Sequence, residues 1–310
     1  MDTAVSRRVF LHRASAISLA ASLAPAARLF GAERRVPFMI SLAEWSLHRT
    51  LQEKKLAPLD FPKAAKADFG IDAIELAGAF LKDKIKDQAY LTELKKRADG
   101  LATKILLVLV DGEGALGDPD AAKRKQAVES HYKWVDAAKF FNCHSLAVSV
   151  ETGDAGSPEE QMERAADGLR QLATFAVKQG LNVIAENHGG LSSNGAWLAG
   201  AIKKVNLPNC GSMPDFGNFR IREGAEYDRY QGVTELMPFA KAVSAQSRDF
   251  DAQGNETQTD FARMLKIVLD AGYHGYVGIE YTGDRLSEPD GIRATKKLLE
   301  QIQNAVNLGG

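Results

Sequence analysis

The sequence predicts an α/β protein, a single-domain (β/α)8 TIM barrel behind an N-terminal export signal. Three observations predict it. Eight short apolar runs recur at intervals of roughly 30 to 40 residues, and longer amphipathic stretches with helix-capping residues separate them. The first run leads into "EWSLHRT", which has no glycine, whereas a doubly wound open sheet wants a glycine-rich phosphate turn at that point.

The chain opens on a segment set apart from the fold. Residues 1–32 carry a paired arginine (Arg7, Arg8), then Phe10 and Leu11, a weakly apolar stretch from Ala14 to Ala26, and the small-residue pattern Ala24-Pro25-Ala26. That is the layout of a twin-arginine signal peptide, and it implies an exported, periplasmic protein. The stretch is too short to span a bilayer.

The barrel is expected over 36–306. Its strand candidates are "FMISLA" (38–43), "AIEL" (73–76), "ILLVLV" (105–110), "SLAVSV" (145–150), "VIAE" (183–186), "GSMPD" (211–215), "AVSA" (242–245) and "VGIE" (277–280). Between the third and fourth, "DPDAAKRKQAVESHYKWVDAAKFFN" starts at Asp118 or Asp120. It places Ala127, His131, Trp134, Val135 and Ala138 on one helical face, so His131 reads as a core residue. The next helix has Ser157 as N-cap, Pro158 at its first position and Gly180 at its end. A later one runs from Asp260 to Gly272. No Pro/Ser-rich linker divides the 310 residues into two domains.

With 45% hydrophobic residues, 25% charged residues and a net charge of −1, the chain shows no basic excess to suit a nucleic acid. Past the leader, no segment is apolar enough for a membrane span. Cys143 and Cys210 lack C-x-x-C spacing, which excludes a zinc knuckle and a disulfide scaffold. Two buried free thiols are expected.

In such barrels chemistry sits at the C-terminal strand tips. Strand five ends in "ENHGG" with Glu186, Asn187 and His188, strand six in Asp215, strand seven runs through Gln246, Arg248 and Asp249, and strand eight ends in Glu280. Glu186, Asp215, Gln246 and Glu280 follow one another at steps of 29, 31 and 34 residues, each close to one βα unit. They should therefore arrive side by side around half of the mouth. Three carboxylates brought together repel one another unless a cation sits among them, and oxygen donors suit a hard divalent ion such as Mg²⁺ or Mn²⁺. Near the same mouth stand Glu44, Trp45 and His48 from "EWSLH", Glu75 ending strand two, and Asp111 ending strand three. Arg220 and Arg222 follow strand six.

The chain resembles the xylose isomerase-like barrel superfamily, which holds sugar isomerases, ketose 3-epimerases and an endonuclease. The likeness runs from "ISLAEWSLHRT" to "GIRATKKLLE" and is most specific in "GIDAIEL", "ENHGG", "PDFGNF" and "GYVGIEYTG". It implies one divalent metal ion, manganese or magnesium, held by Glu186, Asp215, Glu280 and a strand-seven residue. It also implies that Glu186 and Glu280 act as acid and base. The chain departs from the family twice. A usual His-x-Lys-Asp is Gln246-Ser247-Arg248-Asp249, and a frequent Asp-x-x-His is Asp215-Phe216-Gly217-Asn218. Gln246 is thus the expected third ligand through its amide oxygen. His188 is expected to take over part of the missing histidines' work, at the metal or at the substrate. Trp45, His48, Glu75, Asn218, Arg220 and Arg248 are the expected substrate contacts.

The resulting expectation is a metal-dependent isomerase or epimerase that abstracts a proton beside the carbonyl of an unphosphorylated sugar. The alternatives are a 3-keto-glycoside lyase or hydrolase-type enzyme using the same metal site, and a non-catalytic carbohydrate-binding barrel. The implied partner is a small carbohydrate, with no nucleic acid and no membrane after signal removal. An oligomer is compatible with all of this.

Overall fold

A computed structural model describes residues 36–309; the leader expected over 1–32 lies outside them. Eight strands form one parallel sheet: β1 (Met39–Ala43), β2 (Ala73–Ala77), β3 (Lys104–Val110), β4 (Ser145–Ser149), β5 (Asn182–Glu186), β6 (Cys210–Met213), β7 (Val243–Ser247) and β8 (Tyr276–Tyr281). Neighbours in sequence are neighbours in space, and β1 pairs with β8 (Met39 opposite Tyr276). The ring closes between β6 and β7. There the Lys241 and Ser244 amides donate to the Ser212 and Pro214 carbonyls at 3.0 and 2.9 Å, and the Phe216 amide donates to Ser244 at 3.1 Å. The fold is the expected eight-stranded TIM barrel.

The strand runs are apolar because both faces are covered. One face of each strand meets the helices in the main core. The other points into the barrel, where Leu107, Ala147, Ile184, Met213 and Ala242 form a separate buried cluster. Ile184 and Met213 precede Glu186 and Asp215 by two residues, so strand alternation sets the acids above an apolar plug. The caps hold the helices where the sequence places them. Ser157 makes a reciprocal capping box with Glu160, at 3.2 and 2.7 Å, to start Pro158–Ala176. Asp260 accepts from the Arg263 amide at 3.0 Å to start Phe261–Asp270.

Two features differ from the expectation. The single helix expected over 118–142 is two, Ala121–Ser130 capped by Asp120 and Tyr132–Phe140, broken at His131. His131 is buried among core residues, with Nδ1 2.7 Å from the Ala127 carbonyl. After β6 the chain also forms an antiparallel hairpin, Arg220–Arg222 with Ala225–Glu226, outside the barrel sheet. Cys143 and Cys210 are free and buried, and burial raises both thiol pKa values. Among the described residues no helix is long and apolar enough to cross a membrane.

Candidate metal centre and active site

The tips of β5, β6 and β8 bring three carboxylates together. Glu186, Asp215 and Glu280 are buried, and one oxygen from each lies within 4.8 Å of the others. Backbone geometry fixes this meeting. Asn187, fully buried, ties the β5 tip to the end of β6: its Oδ1 accepts from the Asp215 amide at 2.8 Å. Its Nδ2 donates to the Asp215 and Asn218 carbonyls at 3.1 and 3.2 Å. Asp215 in turn folds the next turn under itself, since its Oδ1 accepts from the amides of Gly217 (2.8 Å) and Asn218 (2.7 Å).

Ser244 joins two of the acids. It lies on the inward face of β7, with Oγ 2.7 Å from Asp215 Oδ2 and 2.9 Å from Glu280 Oε2. Sequence alone does not single it out, because a serine two residues before the expected ligand carries no signal of its own. The position of Gln246 on the same strand face is its one pointer.

Burial shifts all three acids upward, and neighbouring charges add to it at Glu186 and Glu280. Burial pushes Glu186 well above the usual carboxylate range, and the charges of Glu280, Asp215, Asp111 and Glu75 add to it. Glu280 is raised to about 8 by burial and then by Asp215, against the Ser244 hydrogen bond. Asp215 is raised by burial and held back by its bonds from Ser244, Gly217 and Asn218. Glu186 Oε1 is buried without any hydrogen-bond partner. A buried, unpaired carboxylate oxygen in a cluster of three carboxylates is what a cation would resolve. The donor set therefore fits a hard divalent ion.

Gln246 is buried beside the cluster, in register with Glu280. Its Nε2 is 3.4 Å from Asn218 Oδ1, and its Oε1 is buried without a hydrogen-bond partner. That oxygen lies against Gly217, where any Cβ would collide with it. Glycine in "PDFGNF" thus makes room for the glutamine side chain.

The remaining expected residues are spread over the mouth. Trp45 stacks on His48 at 5.1 Å between ring centroids. It lines a small pocket of about 10 Å³ together with Glu44, Glu75, Ser244 and Glu280. His48 itself is engaged by the Trp45 carbonyl at 2.8 Å and by Glu288 at 3.4 Å. Glu75 is buried inside the barrel against Gly278, accepts from Ser41 at 2.6 Å, and is raised to about 7 by burial. Glu44, also buried, is raised to about 8 by burial against a hydrogen bond from the Ala77 amide at 2.9 Å. Asn218 is half-buried, and His188, Arg220 and Arg248 are exposed. The His188 amide donates to Ser192 at 3.0 Å, Arg220 sits on the hairpin, and the Arg248 amide donates to Glu256 at 3.2 Å. Asp111 accepts from the Ser149 hydroxyl across β3 and β4.

Known proteins place this barrel. The chain resembles a D-tagatose 3-epimerase-like protein (TM-score 0.67, 16% identity, 88% of this chain and 99% of that one). It resembles a 3-keto-D-glucoside 4-epimerase from E. coli similarly (0.60, 16%, 86% and 99%). A third likeness is to the IolI protein, solved with a bound zinc atom (0.66, 14%, 86% and 99%). At such identities these likenesses establish the fold alone. No curated protein matches the chain by sequence. The family model described as "Xylose isomerase-like TIM barrel" matches residues 63–302. That match covers most of the closed eight-stranded ring, and the chain belongs to the xylose isomerase-like TIM barrel family.

Proposed function

We propose that the protein is a divalent-metal-dependent sugar isomerase or epimerase that moves a proton beside the carbonyl of an unphosphorylated sugar. The observation that carries this reading is the buried cluster of Glu186, Asp215 and Glu280 with one carboxylate oxygen unpaired. Glu186, Asp215, Glu280 and the amide oxygen of Gln246 would hold the ion. When bound, such an ion polarises a carbonyl oxygen and acidifies the neighbouring C–H. The protein's own part is proton transfer and positioning. Glu186 and Glu280, on β5 and β8, are the base that takes the proton and the acid that returns one. Ser244 fixes the rotamers of Glu280 and Asp215 by bonding one oxygen of each. The structural neighbours that are named as epimerases support the same chemistry. The twin-arginine leader expected over 1–32 supports an exported enzyme, and with it a sugar without a phosphate.

The test is hydrogen exchange. The Mn²⁺-loaded protein is incubated in D₂O with ketohexoses and with a 3-keto-glucoside, and deuterium beside the carbonyl is followed by NMR. Incorporation should occur with at least one sugar and fall ~10²- to 10⁴-fold in Glu186→Gln and Glu280→Gln. No exchange with any of them, or full exchange in both variants, sinks the reading. Deuterium-free loss of the C1 substituent would point to the lyase instead.

A further inference from the structure

From the shape of the mouth we infer that the substrate has two units, a reacting keto sugar on the acid cluster and a neutral glycosyl group lodged in an adjoining groove. This rests on the proposed proton-transfer reading and adds the substrate class to it. The groove holds about 840 Å³ and lies over the tips of β4 and β5 and the 220–226 hairpin. Binding sites for compact organic ligands span about 300–1,000 Å³, and a single sugar ring fills only part of such a space. On the other side, next to Trp45 and Glu280, the pocket offers only about 10 Å³. A substrate on the acids can extend toward the groove, which lies beyond the tip of β5 that carries Glu186.

The lining suits a carbohydrate without charge. Val150, Leu191 and Ile221 offer apolar surface for C–H faces, and Asp154, His188 and Arg222 offer hydroxyl partners. Glu151 stands in the same wall, so acids balance Arg222 and leave no cationic excess to recruit a phosphate. His188 connects the two halves: it lines the groove, two residues beyond Glu186. Gly189 and Gly190 line the groove. Both have positive φ (79° and 58°), and a Cβ on either would meet nothing within 4 Å. They serve the turn, not the packing.

Binding decides the inference separately from turnover. Dissociation constants of the Mn²⁺-loaded protein are measured by calorimetry for two pairs, fructose against maltulose and 3-keto-glucose against 3-keto-trehalose. At least one two-unit sugar should bind about tenfold or more tighter than its one-unit partner. Ala225→Trp, which fills the groove from the hairpin, should bring that ratio toward one, with thermal melting as the check on folding. Arg222→Ala, a milder change on the same wall, should lower it as well. Ratios near one in both pairs, or a ratio that survives both variants, overturn the inference. Deuterium exchange reports on the other reading: exchange with ratios near one removes the groove alone, and selective binding without exchange removes the reaction alone.

Discussion

Ser244 is the residue on which the acid cluster turns. Its hydroxyl lies within hydrogen-bond distance of both Asp215 and Glu280, which are buried. Ser244→Ala leaves those oxygens to face each other, and Mn²⁺ affinity should fall ~10- to 100-fold, as for other partners that orient metal ligands. Gln246→Ala should loosen the ion by a similar factor if the amide oxygen is a ligand. An unchanged Mn²⁺ affinity in the second variant removes Gln246 from the coordination set. Glu44 gives a pH prediction away from these ligands. Burial raises its carboxyl from the usual 4.5 to about 8 in the folded barrel. The folded state therefore binds the extra proton between those values, and stability falls as pH rises from about 4.5 toward 8. Below the lower value the burial penalty is absent. Glu44→Gln keeps the acceptor for the Ala77 amide and cannot ionise, so urea unfolding from pH 5 to 8 should show a shallower decline, by about a few kcal/mol at the alkaline end. Equal slopes for variant and wild type would contradict the assignment.

At the scale of elements, what the sequence discloses depends on how local the cause is. The eight strands and the Ser157, Asp120 and Asp260 caps follow from apolar runs and capping residues, which act over a few positions. The meeting of Glu186, Asp215 and Glu280 follows from the same βα spacing. The 220–226 hairpin escapes such reading because its strands are two and three residues long and pair only with each other. The break at His131 escapes it too, since "AVESHYKW" keeps a helical period through the kink. Burial of Glu44 depends on the short 3₁₀ turn Glu44–Leu47, which sets its carboxylate against the Ala77 amide from another strand. Close approach between elements is equally hidden. Gly168 in Pro158–Ala176 lies so near the Leu116 backbone that a Cβ there would collide with its carbonyl. Helix propensity alone favours Gly168→Ala by about 1 kcal/mol. The contact reverses the sign, and the variant should be destabilised by about 1–3 kcal/mol in chemical unfolding.

Over the whole molecule the barrel separates stability from chemistry. The apolar plug of Leu107, Ala147, Ile184, Met213 and Ala242 fills the ring, and the acids occupy the level above it, at the C-terminal tips. Asn187 and Ser244 cross between strands at that level, so the cluster is built by elements far apart in sequence and held by hydrogen bonds rather than by loops. Three buried carboxylates in one place destabilise the ion-free barrel, and a divalent ion that binds the folded state alone should raise its melting temperature. The most direct measurement of the central claim needs no substrate. Calorimetric titration of the metal-stripped protein with Mn²⁺ should give one saturable site per chain, weakened at least ~10- to 100-fold in Asp215→Asn. A flat titration, or a site whose affinity Asp215→Asn leaves unchanged, would contradict a metal centre at Glu186, Asp215 and Glu280.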